Sequence, residues 1–331
     1  MGGYYRIVIK CLLPAVLAAG SLTVGLPAAG AQVVLARQVT LMGSRFEITL
    51  TDKDSVLAKK HIDHVIAEVT RIENLISEWQ PGTQVSEINR NAGIRPVKVD
   101  REVFDLARRA IAYSEQSQGA FDISIAAMDR LWTFDGSMTG MPSPEAIRKS
   151  VEKVGYRNIV LDSANSTVYL ALKGMKIGFG SIGKGYAADK GRELMQSFGV
   201  QGGIVNASGD LSAWGAQPDR KPWKIGINHP FKPRKILKVF KIKEASVATS
   251  GSYERYAEID GRRYSHIIDP KTGYPSTGLT SVTVTGPSAE FANALSTSVM
   301  VLGEKEGIQF LKRFPAYEYV VVTDTGKVIK G

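Results

Sequence analysis

Hydrophobic and polar positions recur at two spacings along the chain, and each spacing indicates a type of secondary structure. An apolar residue at every third or fourth position over residues 58–75 predicts a long amphipathic helix that Asp54 or Ser55 would cap. Further helices are expected after Asp100, Ser143 and Ser288. Short apolar runs bounded by turn residues predict strands at 39–51, 158–161, 167–171, 203–210, 223–228, 246–251, 263–268, 317–323 and 328–330.

A loop with four glycines in eight residues lies at the centre of this pattern: Gly178, Gly180, Gly183 and Gly185. An apolar run before it predicts a strand, and a helical pattern after it is expected to end at Gly199. That helix would bury Ala187, Leu194, Met195 and Phe198 on one face. Strand, loop and helix start would present backbone N–H groups to an anion. Because Lys184 lies inside the loop, a phosphate site is favoured, although a tight turn without a ligand would also need these glycines.

The spacing Gly178-x-Gly180-x-x-Gly183 also matches the fingerprint of dinucleotide-binding folds. That fingerprint expects an acidic residue roughly 20 positions further on. The corresponding region around Val200 has none, and the next acid is Asp210. The spacing of a Walker loop is missing as well, so an NAD-dependent oxidoreductase is disfavoured.

Composition narrows the possible partners. The chain has 331 residues, of which 44% are hydrophobic, and a formal net charge of +10. The length allows one large domain or two smaller ones with an ample core. The basic residues look spread along the chain, and 232–243 is predicted to form an exposed basic hairpin arm. Nucleic-acid binding is therefore not expected, whereas an acidic partner or an anionic membrane surface fits the charge.

The first 31 residues have the pattern of a signal peptide. Arg6 and Lys10 precede an apolar stretch, and Ala29-Gly30-Ala31 resembles a peptidase site. A membrane anchor is the alternative, but prolines and glycines in the stretch fit a signal peptide better. Cleavage would leave a mature domain of residues 32–331 with no transmembrane helix expected. It would also remove the only cysteine, Cys11, which suits an oxidising compartment.

Several polar groups outside the loop are candidates for chemistry. His61 and His64 lie three residues apart on the first long helix and could share a metal, although such pairs more often lie on a helix flank. His266, beside Asp269, is a candidate acid, base or phosphate contact. A second set shares one face of a helix at spacings of three and four residues: Asn293, Ser296 and Thr297.

Seven short motifs follow one another over nearly all of the mature chain. They are Met42-Gly43-Ser44, Ser77-x-Trp79 with Ser86 and Asn89, Gly119-Ala120-Phe121-Asp122, Gly183-Lys184-Gly185-Tyr186-Ala187-Ala188-Asp189, Asn206-x-x-Gly209-Asp210, Thr249-Ser250-Gly251-x-Tyr253, and His266-Ile267-Ile268-Asp269-Pro270-x-Thr272-Gly273. In this order and spacing they resemble the ApbE family of FAD:protein FMN transferases.

The resemblance implies an α+β fold, T-fold-related, with mixed, largely antiparallel sheets flanked by helices. It also implies a periplasmic enzyme that moves the FMN half of FAD onto a threonine or serine of a partner protein, with release of AMP. Magnesium would bridge the pyrophosphate. The acceptor would be a protein, expected to be a membrane electron-transfer subunit.

The family's site residues can be carried over position by position. The FAD site would be lined by Met42, Trp79, Ala120, Phe121, Asp122, Gly178, Lys184 and Ile268. Catalysis would involve His266, as a base for the acceptor hydroxyl, together with Lys184. The metal site would use the Ser181 backbone carbonyl, Asn293, Ser296 and Thr297.

Three positions depart from the family pattern. The family usually has aspartate where this chain has Gly178 and Asn293, and some members have another where Ser296 stands. Magnesium prefers carboxylates, so these changes would leave neutral ligands. The expected function is therefore an FMN transferase with a partly degenerate metal site. The alternative is an FAD-binding carrier or maturation factor with weak or no transfer activity.

Overall fold

A computed structural model of the protein describes residues 32–138, 140–232, 234–252 and 255–331. The predicted signal peptide lies outside these ranges, as does Tyr253 of the sixth motif. Within them, no helix combines the length and apolar character needed to cross a lipid bilayer.

The described residues form fifteen strands and six α-helices. The strands are β1 (Val33–Leu41), β2 (Ser44–Asp52), β3 (Val97–Lys98), β4 (Ile159–Asp162), β5 (Thr167–Leu170), β6 (Gly202–Ala207), β7 (Asp210–Gly215), β8 (Trp223–Asn228), β9 (Ile236–Ile242), β10 (Glu244–Gly251), β11 (Tyr256–Ile259), β12 (Arg262–Ser265), β13 (Leu279–Gly286), β14 (Glu318–Thr323) and β15 (Val328–Lys330). The helices are α1 (Ser55–Ile76), α2 (Gln84–Arg90), α3 (Arg101–Gln116), α4 (Pro144–Ser150), α5 (Gly183–Ser197) and α6 (Ala289–Leu311).

An eight-stranded sheet in the order β1-β2-β6-β7-β10-β13-β14-β15 is the framework, and all its neighbouring strands run antiparallel. Alternate side chains of β6 enter different cores, Val205 on one face and Ile204 on the other. Helices α1, α5 and α6 cover the first face, and the β8–β9 pair packs on the second. The α+β fold with largely antiparallel sheets is confirmed.

The helix predictions rest on periodicity and capping, and most of them are confirmed. Helix α1 buries the predicted stripe from Ala58 to Ile72, although Leu75 is only half-buried and Ile76 is buried in its place. Asp54 accepts hydrogen bonds from the first turn. Ser288 caps α6 by accepting a hydrogen bond from the Phe291 N–H. Asp100 precedes α3 as predicted, but its side chain makes no cap bond with the helix.

The predicted strand at 39–51 is in fact a tight hairpin. Strands β1 and β2 pair from Leu41 and Ser44 outward, and Met42 and Gly43 form the two-residue turn between them. Both turn residues have positive φ, at 49° and 63°. Such left-handed pairs match the twist of the flanking strands. The first motif is therefore a turn that places Met42 at the end of the sheet.

The apolar run before the glycine loop is not a strand, contrary to the prediction. Met175, Ile177 and Phe179 are buried with the alternation of a strand, yet the backbone has no strand partner in the described residues. The side chain of Asn89 takes that place: its amide donates to the Ile177 carbonyl at 2.9 Å and accepts from the Ile177 N–H at 2.8 Å. The Asn89 side-chain amide thus satisfies the buried backbone N–H and carbonyl of Ile177.

Candidate functional site

The glycine loop leads into helix α5, whose start is open to a ligand. Ile182 occupies the N-cap position and makes no side-chain cap bond. The Gly183 N–H donates to the Phe179 carbonyl at 2.6 Å, but no side chain caps the N–H groups that follow it, and an anion can take that place. Lys184, half-buried in the first turn, adds a full positive charge. Backbone geometry, helix dipole and the charge of Lys184 together favour an anion at this loop.

A cavity of about 390 Å³ opens beside this helix start, within the range of small-molecule sites. Three of the predicted FAD-site residues line it: Met42, Trp79 and Lys184. Phe179 and Ile76 add apolar surface, while the Trp79 ring is 71% exposed, with the Arg130 guanidinium 4.8 Å from its centre. An exposed aromatic ring next to a lysine suits a ligand with a planar heterocycle and phosphates, so these residues fit FAD.

Glu78 is a cavity residue that the motifs did not single out. Its carboxylate lies beside Gly178, where an added Cβ would be 2.7 Å from Glu78 Oε1. Burial raises the pKa of Glu78 above its ordinary value. A carboxylate therefore faces this part of the site although position 178 itself has none.

The Phe121–Asp122 turn packs against the glycine loop. Phe121 is fully buried, and the Gly178 N–H donates to the Ile123 carbonyl at 3.0 Å. Asp122 accepts hydrogen bonds from Ser124 and from the Tyr156 N–H at 2.8 Å, while its burial raises its pKa. These contacts account for the motif structurally, and a role in FAD binding for Ala120, Phe121 and Asp122 stays a prediction.

His266 is held in a defined tautomer. Its Nδ1 lies 3.1 Å from the Arg255 carbonyl oxygen, which only accepts, so Nδ1 carries the proton and Nε2 is the basic nitrogen. Burial lowers the pKa of His266 below its ordinary value, and the charges of Arg255 and Lys184 lower it further. The imidazole is thus neutral at neutral pH and electrostatically coupled to Lys184.

Asp269 shapes the loop that follows His266. Its carboxylate accepts from the Lys271 N–H at 3.0 Å and from the Thr272 hydroxyl at 3.0 Å. The half-buried Ile268 packs in a small cluster with Trp132 and bridges to Pro275. This carboxylate is occupied in folding the loop, so its proximity to His266 in sequence does not make the two an acid–base pair.

The predicted metal ligands on α6 lie together in a polar cluster. Thr297 Oγ1 lies 3.4 Å from Asn293 Oδ1, while the Ser296 hydroxyl donates to the Asn293 carbonyl and lies 2.8 Å from Ser250 Oγ. The Asn293 amide donates to the carboxylate of Asp210, from the fifth motif. The predicted donors on α6 are neutral, and Asp210 adds a carboxylate that accepts from the Asn293 amide.

The donors of this cluster suit a magnesium ion that the ligand also holds. An amide oxygen and a hydroxyl 3.4 Å apart can both reach one small cation. Magnesium commonly binds through few protein groups together with substrate phosphates and water. Among the described residues no three His, Cys, Asp or Glu side chains form a metal group. The cluster fits an ion held largely by the ligand, and the role of Ser181, in the loop before α5, stays a prediction.

Asp189 of the fourth motif joins α5 to the start of α6. Its carboxylate accepts from the Ala289 and Glu290 N–H groups at 3.0 Å each, and from the hydroxyls of Ser288, Ser212 and Ser246. Gly185 permits this approach, since a Cβ there would lie 2.5 Å from the Ala289 carbonyl oxygen. A carboxylate at a helix N-terminus is stabilising. The contact brings the glycine loop toward the Asn293 cluster.

His61 and His64 have a structural explanation. His61 Nδ1 lies 2.6 Å from the buried carboxylate of Asp52, and both imidazoles lie against the Phe198 ring. Phe198, expected in the core, is 46% exposed. No shared metal site is built around this pair in the described residues.

The fold is an antiparallel sheet layered with helices, which makes this an α+β protein. Its site has a lysine at an uncapped helix start beside a cavity, which suits an anionic ligand. The sequence profile of the ApbE family matches residues 42–321. The chain belongs to the ApbE family.

Individual relatives agree with this assignment. The FAD:protein FMN transferase of Treponema pallidum is 32% identical over 276 residues, covering 79% of this chain and 76% of that protein. The FAD:protein FMN transferase of Klebsiella pneumoniae is 32% identical over 298 residues, covering 89% of this chain and 91% of that protein.

Solved structures of family members are similar throughout. The crystal structure of the ApbE protein from Thermotoga maritima superposes with a TM-score of 0.83 at 32% identity, covering 90% of this chain and 97% of that one. The crystal structure of the apo flavinyl transferase ApbE from Pseudomonas stutzeri superposes with a TM-score of 0.78 at 30% identity, covering 91% of this chain and 94% of that one.

Proposed function

We propose that this protein is an FAD:protein FMN transferase that uses the cavity beside α5 to bind FAD. The observation that carries the proposal is Lys184 at the uncapped start of α5, opening on a cavity of about 390 Å³. A diphosphate there would gain the helix dipole, backbone donors and one ammonium group. Met42 and Trp79 would contact the flat part of the ligand.

The reaction would be a phosphoryl-type transfer. The hydroxyl oxygen of an acceptor threonine or serine forms a bond to the FMN phosphorus, the bond between the two phosphates breaks, and AMP leaves. The hydroxyl proton passes to Nε2 of His266, which is neutral and unprotonated. Lys184 stabilises the negative charge on the phosphates.

Magnesium would be held by Asn293 and Thr297, with Ser181 and Ser296 as further predicted donors, and would supply charge neutralisation at the diphosphate. Asp210 would orient the Asn293 amide so that Oδ1 is directed away from the carboxylate. Positioning of a ligand by such a hydrogen-bonded partner is usual in metal sites.

A second candidate is an FAD-binding carrier with weak transfer. It is favoured by the absence of a carboxylate at positions 178 and 293, since neutral donors bind magnesium weakly without the ligand's charge. We further propose that residues 1–31 direct export to the periplasm, and that the acceptor is a membrane electron-transfer subunit. N-terminal sequencing of the exported protein tests the first of these, and Gln32 is the expected first residue.

One assay separates the two functions. The protein is incubated with FAD, magnesium and a threonine-containing acceptor, and then AMP release and covalent flavin fluorescence in a denaturing gel are followed. A transferase gives both signals in equal amounts over many turnovers, whereas a carrier binds FAD and gives little or none of either signal. Failure to bind FAD at all would rule out both. Membranes of the host, used as the acceptor source, would identify the natural partner by its fluorescent band.

A further inference from the structure

The basic residues are concentrated in one stretch that the FAD site does not use. Residues 220–243 contain nine of the 42 lysines and arginines and no aspartate or glutamate. Lys221 pairs with Asp219 and Lys238 pairs with Glu318. Five exposed lysines make no ion pair with any other described residue. Four lie on the β8–β9 hairpin, Lys224, Lys232, Lys235 and Lys241, and the fifth, Lys243, follows β9. The positive charge of the chain looks dispersed along the sequence, but much of its excess lies in residues 220–243.

The β8–β9 hairpin displays this excess on one face. Trp223, Ile225, Phe240 and Ile242 point inward and pack on the main sheet, opposite the helical layer. Lys224 and Lys241 alternate with them, so they face outward, and they are direct cross-strand partners. Like charges placed opposite each other disfavour the strand pair. An anionic surface laid on this face would remove that repulsion.

Large apolar side chains lie exposed among the lysines. Phe231 near the hairpin tip is 48% exposed, Ile236 45% and Val239 50%. Val239 is on the outward face, since it pairs with Gly226 two residues from the Lys224–Lys241 pair. Lysines interspersed with aromatic and aliphatic residues are the composition of surfaces that enter a lipid interface.

We propose that the outward face and tip of the β8–β9 hairpin dock this protein on an anionic lipid bilayer. The lysines would contact lipid headgroups, and Phe231, Ile236 and Val239 would enter the boundary with the acyl chains. An acidic protein would use the charge but leaves the three exposed apolar residues unexplained. Nucleic acid is disfavoured because Phe231 is the only exposed aromatic ring in this stretch.

The test is flotation of the exported protein with vesicles of phosphatidylcholine alone, or with part of it replaced by phosphatidylglycerol. We expect binding to the anionic vesicles only, falling as salt is raised. Replacing the four lysines by glutamate should weaken binding by about tenfold or more. Replacing Phe231, Ile236 and Val239 by serine should weaken it even at low salt.

The controls separate this surface from other causes. A Lys59→Glu, Lys60→Glu variant on exposed α1 has the same type of charge change elsewhere and should still bind. Thermal melts and FAD titration of every variant show that the fold and the FAD site are intact, so vesicle binding is judged independently of transfer. Equal flotation of wild type and the lysine variant would overturn the proposal. So would binding to soluble polyglutamate without binding to vesicles.

Discussion

The carboxylate of Glu78 occupies the space beside Gly178, where an added Cβ would lie 2.7 Å from Glu78 Oε1 and 3.1 Å from the Ala126 side chain. The backbone of Gly178 does not have the positive φ that would require glycine, so space and charge, not conformation, limit this position. A glutamate from the α1–α2 connection thus faces the site where the family pattern has an aspartate on the loop.

Gly178→Asp should therefore destabilise the protein by about 1–3 kcal/mol near neutral pH, because two carboxylates would crowd one partly buried space. Repulsion would raise the folded-state pKa of one carboxyl above its unfolded value. The loss of stability should then shrink as the pH falls toward the unfolded pKa. Urea unfolding of wild type and Gly178→Asp at several pH values measures this loss of stability. Glu78→Gly in the same chain should restore stability.

Gly180→Ala provides the matched control for that experiment. A Cβ at Gly180 would lie 4.0 Å from Glu78 Oε1, which is ordinary contact. This variant should unfold within about 0.5 kcal/mol of wild type. If Gly178→Asp is as stable as Gly180→Ala at neutral pH, Glu78 does not hold the position described.

Asn293→Asp would place a second carboxylate against Asp210. Without magnesium the variant should lose about 1–3 kcal/mol of stability, because the amide donor is replaced by a like charge. Magnesium bound by the new carboxylate and Thr297 should recover the lost stability, so the melting temperature should rise with magnesium concentration. Asn293→Ala loses the hydrogen bond without adding charge and should show no such rise. An Asn293→Asp melting temperature that ignores magnesium would contradict a metal site at this position.

Lys184→Ala should weaken FAD binding by about 1.5–3 kcal/mol, the range for losing a charge-assisted contact. Isothermal titration calorimetry of FAD into wild type and variant measures the change. Lys190→Ala is the comparison, since Lys190 lies on the same helix and pairs with Glu193 at 2.6 Å. Equal FAD affinity for Lys184→Ala and Lys190→Ala would remove Lys184 from the site.

The pH profile of kcat/KM for FAD, which reports the pKa of the base in the free enzyme, should have an acid limb set by His266. Its folded-state pKa lies below the ordinary 6.5, so the neutral base persists below that pH and is lost only as the pH falls through the lowered pKa. The midpoint of the limb should thus lie below 6.5. His266→Gln should lower the rate about 10²- to 10⁴-fold and abolish this limb. A limb that survives in His266→Gln would assign it to another group.

Much of the local structure follows from the order of residues alone. Periodicity specified α1, because one turn of a helix brings every third or fourth residue to the same face. Capping and stop signals fixed the start of α6 at Ser288 and the end of α5 near Gly199, whose φ is 75°. The ordered motifs were sufficient to assign the family, which needs only residue identity and spacing.

Tertiary structure decided the contacts between distant segments. Asn89 pairs with Ile177 across 88 positions, and Asn293 meets Asp210 across 83. The apolar run therefore did not become a strand, and the Asn293 cluster acquired a carboxylate. The same holds for Glu78, which reaches Gly178 from another segment. Such neighbours leave no periodic trace in the sequence, because their proximity arises only when the sheet and its helices pack.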